Sequence, residues 1–184
     1  MGGWHYRRAI EVLRRGGIIA YPTEAVFGLG CDPLNRSAVA RIFAVKRRSA
    51  HKRCILIAAT VEQLAFFTDT SDPVFAEHAA RSWPGPVTLV VRARRRVPTW
   101  LVGEEGSIAL RVSDHLVPRA LCSAFGGALI STSANRSSKA PVREISKARL
   151  AFGTDIDCYV KGRVGGLDRP TRIIDIRSGS VLRS

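Results

Sequence analysis

Apolar and polar positions along this chain follow two rhythms, one near the helical 3.6 residues and one near the strand period of 2. Ile10 and Leu13 give residues 4–15 a helical face that Gly16-Gly17 closes. Ile18-Ile19-Ala20-Tyr21 reads as a brief buried strand stopped by Pro22, and a polar, glycine-bearing stretch continues to Pro33. Asn35 can cap a helix with Ala38, Val39, Ile42 and Phe43 at helical spacing, which ends in a basic run from Lys46 to Arg53. Residues 54–58 are wholly apolar and predict a strand. Thr60 with Gln63 is a capping-box pattern for a short helix. A helix over 73–81 leads into the rigid turn Trp83-Pro84-Gly85-Pro86 and a strand over 87–92. Beyond it the pattern predicts strands over 107–112, 128–131, 156–160, 171–176 and 180–183, with helices over 116–125 and 143–152.

Strands and helices thus alternate through all 184 residues, which predicts one α/β domain over 1–184. Some successive strands are joined by loops too short for a crossover helix. A mixed parallel and antiparallel sheet is therefore expected.

Charge narrows the set of partners. Lys and Arg number 29 against 15 Asp and Glu, a formal net charge of +14, so the field favours phosphates, nucleic acid or another polyanion. The cysteines Cys31, Cys54, Cys122 and Cys158 form no CxxC pair, and with four histidines a protein-held metal is not expected. No secretory leader opens the sequence and no apolar run is long enough to span a bilayer. The expectation is a reduced, cytoplasmic protein with no membrane partner.

Four places can carry chemistry. Pro22-Thr23-Glu24 follows directly on a buried strand, where open α/β sheets meet ligands, although a turn with a solvated Glu would read the same. Lys46, Arg47, Arg48, His51, Lys52 and Arg53 suit phosphate, or equally a helix C-terminus that favours cations. Ser131-Thr132-Ser133-Ala134-Asn135 sets hydroxyls and an amide at a strand end. Arg111 is the sharpest anomaly: a charge inside an apolar strand must find a partner or open onto a polar cavity. There is no P-loop, no GxSxG elbow and no convincing carboxylate pair.

Tyr21-Pro22-Thr23-Glu24, Gly28-Leu29-Gly30-Cys31-Asp32, Lys46-x-Arg48, Trp83-Pro84-Gly85-Pro86-Val87-Thr88 and Ser131-Thr132-Ser133-Ala134-Asn135 together resemble the YrdC-like family, in its short single-domain bacterial form. The resemblance extends to Thr171-x-Ile173-x-Asp175 and Leu182-Arg183. It implies a twisted mixed sheet flanked by helices, with a basic concave cavity. It also implies condensation of L-threonine, bicarbonate or CO2, and ATP into L-threonylcarbamoyladenylate, with release of diphosphate. Mg²⁺ would accompany the ATP, with no tightly bound organic cofactor. A separate transferase complex would take the intermediate to position 37 of ANN-decoding tRNAs, so a tRNA contact is conceivable. By this resemblance Lys46 and Arg48 are the catalytic pair. They would bind ATP together with Lys52, Thr88, Ser133, Asn135 and Arg183. Thr23, Arg111, Ser131 and Thr171 would face the threonine, Arg111 pairing with its carboxylate. Ser49, Arg53 and Ser138 depart from the family pattern.

The rival expectation is a module that binds double-stranded or structured RNA without catalysis. Against it, the arginines are not interleaved with stacking aromatics, and the motifs sit at strand ends. The two roles are compatible, with Arg92, Arg94, Arg95 and Arg96 available to contact tRNA or a partner while the cavity does chemistry.

Overall fold

A computed structural model describes residues 3–47, 54–137 and 139–183, with backbone alone for 3–5. The helices are α1 (Gly3–Arg14), α2 (Arg36–Lys46), α3 (Pro73–Ser82), α4 (Leu116–Phe125) and α5 (Ile145–Phe152). The strands are β1 (Ile19–Pro22), β2 (Phe27–Gly30), β3 (Ile55–Ala58), β4 (Val87–Arg92), β5 (Ser107–Val112), β6 (Leu129–Ser133), β7 (Cys158–Tyr159), β8 (Arg172–Asp175) and β9 (Val181–Arg183). They form one sheet in the order β7-β1-β2-β6-β3-β5-β4-β8-β9. The pairs β1/β7, β3/β5 and β4/β8 are parallel and the remainder antiparallel, so the sheet is mixed.

Local chemistry accounts for most of the elements. The Asn35 side chain accepts from the Ala38 amide at 3.0 Å and starts α2, and Asp72 does the same for Phe75 ahead of Pro73 in α3. Gly126, at φ 89°, closes α4 in the left-handed region. Two expectations fail. The Thr60/Gln63 helix is only a 3-10 turn over Glu62–Leu64, because Gln63 accepts from the Ala59 amide and donates to the Cys122 carbonyl. The stretch after Pro22 contains β2, which the sequence pattern did not reveal, and Pro22 pairs with Phe27 inside the sheet.

Alternation along the strands makes two cores. Ala20, Phe27, Leu29, Leu56, Ile130, Leu89 and Leu110 face α2, α3 and α5. Ile19, Tyr21, Ile57 and Leu129 face α1 and α4, packing against Leu13, Leu121 and Cys122. Leu13, Tyr21 and Leu121 are at most 1% exposed, so the cover over this half of the sheet is closed.

Candidate active site

The face under α1 and α4 does not stop where the helices do. Two residues beyond Leu129, the same side of β6 carries Ser131 and then Ser133. Ile55 pairs with Ser131 and Ala109, and Val90 pairs with Ala109, so all of them look the same way. Gly28 of β2, opposite Ser133, adds bare backbone. These residues floor a cavity of about 480 Å³ whose walls include Thr23, Arg111, Thr171 and Arg183. Apolar residues give way to hydroxyls and guanidiniums at the point where helical cover ends.

Register brings the cations together. Leu129, Ile57 and Arg111 stand in one lateral row across β6, β3 and β5. The antiparallel step from β5 to β4, in which Leu110 meets Leu89, continues that row through Thr88 to Ile173 and Arg183. Arg111 and Arg183 are thus several strands apart at their Cα atoms, and their side chains converge on Thr171. Arg111 Nη1 donates to Thr171 Oγ1 at 2.8 Å, while Arg183 Nε donates to the Thr171 carbonyl at 2.8 Å and Nη2 reaches both oxygens. Burial, and then the like charge of Arg111, draws the Arg183 guanidinium below its ordinary value.

Arg111 is 4% exposed and meets both alternatives its position posed: it lines the cavity and it has a partner. That partner is Glu24. Its Oε2 lies 3.2 Å from Arg111 Nη2, and its Oε1 accepts from Ser113 Oγ at 2.5 Å. Glu24 is 4% exposed, so the reading of a turn with a solvated carboxylate is overturned. Its backbone is held as well: the Gly165 and Leu167 amides donate to the Thr23 and Glu24 carbonyls, pinning the 160–171 loop that ends at Thr171. Arg111 Nε is buried without a hydrogen-bond partner, an unsatisfied donor beneath the cavity wall.

The remaining candidates divide. Thr23, Ser131 and Ser133 line the cavity with Thr171, Arg111 and Arg183; the Thr23 hydroxyl donates to the Val26 carbonyl at 2.7 Å. Lys46, Thr88 and Asn135 are not among the cavity walls. Lys46, at the end of α2, is 3% exposed and donates to the carbonyls of Ser133 and Asn135 and to Asn135 Oδ1. It ties α2 to the hydroxyl-rich strand end, and Ser133 Oγ closes the cluster on Asn135 Oδ1 at 2.7 Å. Thr88 is fully buried with its hydroxyl unpartnered. Arg48 and Lys52 lie outside the described residues, as do His51, Ser49, Arg53 and Ser138. Of the arginines after β4, Arg94 donates to the Thr68 carbonyl and pairs with Asp69, and Arg96 donates to Phe66 and Ala65 carbonyls above the Phe66 ring. Both are engaged in the protein's own loop.

A family model for the Sua5, YciO and YrdC group, described as "Telomere recombination", matches residues 11–184. The threonylcarbamoyl-AMP synthase of Halorhodospira halophila is 53% identical over 177 residues, covering 96% of this chain and 93% of that protein. This chain belongs to the Sua5/YciO/YrdC family. The Marinobacter nauticus threonylcarbamoyl-AMP synthase is 49% identical over 95% of the chain and 93% of its own length. Among solved structures, P. abyssi Sua5 complexed with L-threonine superposes with a TM-score of 0.87 at 32% identity, over 95% of this chain. The chain spans 52% of that Sua5 molecule, about half its length. The mixed sheet with its flanking helices is therefore the Sua5/YciO/YrdC fold.

Proposed function

We propose that this protein is an L-threonylcarbamoyladenylate synthase, a nucleotidyltransferase that joins L-threonine, bicarbonate or CO2, and ATP with release of diphosphate. The observation that carries the reading is the buried Arg111, fixed on one side by Glu24 and on the other by Thr171, on the wall of a hydroxyl-lined cavity. An amino-acid carboxylate matches a guanidinium in charge and shape. The names of the near full-length relatives and the threonine complex of P. abyssi Sua5 support the same substrate class.

The chemistry asks for positioning and charge neutralisation. The threonine amine takes up CO2 as a carbamate, losing a proton. A carbamate oxygen then attacks the α-phosphorus of ATP, and the bond to the bridging oxygen breaks as diphosphate leaves. Both reactants are anions, so cationic side chains lower the barrier by offsetting their repulsion. Arg183 and the Lys46-x-Arg48 segment serve the nucleotide, a role the family resemblance extends to Lys52, Thr88, Ser133 and Asn135; Thr23, Arg111, Ser131 and Thr171 serve the threonine. Holding a short-lived carbamate beside ATP raises its effective concentration. Mg²⁺ would accompany the ATP, held mainly by its phosphate oxygens and water. The product serves N6-threonylcarbamoyladenosine formation at position 37 of ANN-decoding tRNAs through a separate transferase. A cytoplasmic setting goes with the proposed tRNA-modifying role. Among the described residues no helix is long and apolar enough to cross a membrane.

The test is diphosphate release from MgATP, with threonine and bicarbonate each supplied or withheld, and mass spectrometry of the nucleotide before it hydrolyses. Release that depends on both, with a threonylcarbamoyl-AMP mass, is expected. Release without threonine would point to a different adenylating reaction, and folded protein without turnover would return weight to RNA binding.

A further inference from the structure

We infer that Glu24 is a positioning residue for amino-acid recognition: it orients and partly neutralises Arg111, and so sets the affinity for threonine without itself touching the substrate. The inference rests on the synthase reading above. It begins from a charge imbalance. Two guanidiniums, Arg111 and Arg183, converge on one threonine side chain, and among the described residues Glu24 is the carboxylate paired with either of them. Two like charges brought together away from water repel strongly unless a counter-charge is fixed beside them.

Glu24 is built to be that counter-charge. Ser113, fully buried, donates to Oε1 and in turn accepts from the His115 amide at 3.1 Å. Ser113 is itself anchored by its amide to the Ala58 carbonyl of β3. The Glu24 main chain is gripped by the Leu167 amide, and a Cβ at Gly165 would stand 2.6 Å from the Glu24 carbonyl oxygen. The carboxylate is therefore clamped by backbone and side chain, and Arg111 must lie where Glu24 and Thr171 together hold it. Glu24 lies outside the cavity wall whereas Arg111 lies on it, so the ion pair acts from behind the binding surface.

The role separates from mere support of the fold by its selectivity. Glu24→Gln keeps the shape and the bond from Ser113 but removes the charge opposite Arg111. Calorimetric titration with L-threonine, and steady-state diphosphate release with threonine and ATP varied in turn, are compared for wild type and variant. The expected result is a rise of at least about tenfold in the threonine Kd and KM, with the ATP KM changed less than about twofold. Glu24→Asp, which keeps the charge one methylene short, should recover part of the loss. An unchanged threonine Kd in folded Glu24→Gln, or equal losses toward both substrates, overturns the role. Should Glu24→Gln fail to fold, Ser113→Ala is read in its place: a severalfold selective loss for threonine is expected, and none overturns the inference. Failure of wild-type protein to bind threonine overturns the synthase reading and this role with it, whereas normal wild-type binding with an indifferent variant overturns this role alone.

Discussion

Lys46 and Asn135 are joined twice across 89 residues of sequence: the ammonium donates to the Asn135 carbonyl at 2.9 Å and to its Oδ1 at 3.1 Å. A cation at the C-terminus of α2 thereby organises the loop that follows β6, with the Ser133 carbonyl as a further acceptor. Residues distant in the sequence become one hydrogen-bonded cluster.

Lys46→Met removes the donor from these buried oxygens. A loss of about 2–3 kcal/mol in urea unfolding is expected, since hydrogen bonds to a charged group are being broken. Diphosphate release should fall with it. Arg48→Ala, by contrast, is expected to depress adenylate formation far more than stability.

Arg111→Met leaves the buried Glu24 carboxylate without its ion-pair partner. Unfolding by denaturant should show a loss of about 3–5 kcal/mol, the usual result of breaking a buried pair from one side. The double variant Arg111→Met with Glu24→Gln should recover part of that stability, with threonine binding still absent by calorimetry. Additive destabilisation of the two changes would contradict the pairing.

The two glycines of β2 should behave differently. A Cβ at Gly30 would stand 2.7 Å from both the Ile130 carbonyl oxygen and the Tyr21 ring, neither of which can move freely. Gly30→Ala is expected to cost about 1–3 kcal/mol in thermal or urea unfolding. At Gly28 the nearest atom is Thr23 Cγ2 at 3.2 Å, followed by Ser131 Oγ at 3.5 Å. Gly28→Ala should fold nearly as well but weaken threonine binding, because its methyl group enters the cavity floor.

Asp157 supplies an acid-sensitive tie. Burial works to raise its pKa, but the bonds from Arg41 and the Ile18 amide outweigh it and hold the carboxyl below the usual carboxylate range. A depressed folded value means that its contribution is complete above the ordinary Asp pKa and disappears as pH falls through the folded one. Thermal melts should show Asp157→Asn less stable than wild type at pH 7, the gap closing toward pH 3.

Thiol reactivity should sort by burial. Cys122 is fully buried, donates to the Ile57 carbonyl and is pushed by burial up to about 12; Cys31 is raised further by the same cause. Alkylation of native protein at pH 8, read by mass spectrometry, should spare both and mark Cys54 and Cys158, which are only partly buried. Early labelling of Cys122 would show that α4 opens readily from the sheet.

Much of the local structure was decided within short stretches of sequence. The Asn35 cap and the spacing of Val39 and Ile42 fix α2, and the apolar runs at 55–58 and 87–91 fix β3 and β4, because these signals act through neighbours a few residues away. Arg111 announced itself as an anomaly, and the hydroxyls at 131–133 announced a polar strand end. β2 stayed hidden because its glycines weaken any strand pattern, and Gly30 is required only once Tyr21 and Ile130 lie beside it. Register likewise decided what the pattern could not. Pairing of β5, β4, β8 and β9 aligned Arg111 with Arg183, drew both to Thr171 and closed Glu24 and Ser113 behind them. Sequence by itself set which residues were available for a polyanion site. Tertiary structure chose which of them meet, because contacts such as Arg111 with Thr171 and Glu24 with Ser113 pair residues 60 and 89 positions apart, and a one-residue slip of β5 would turn Arg111 to the opposite face.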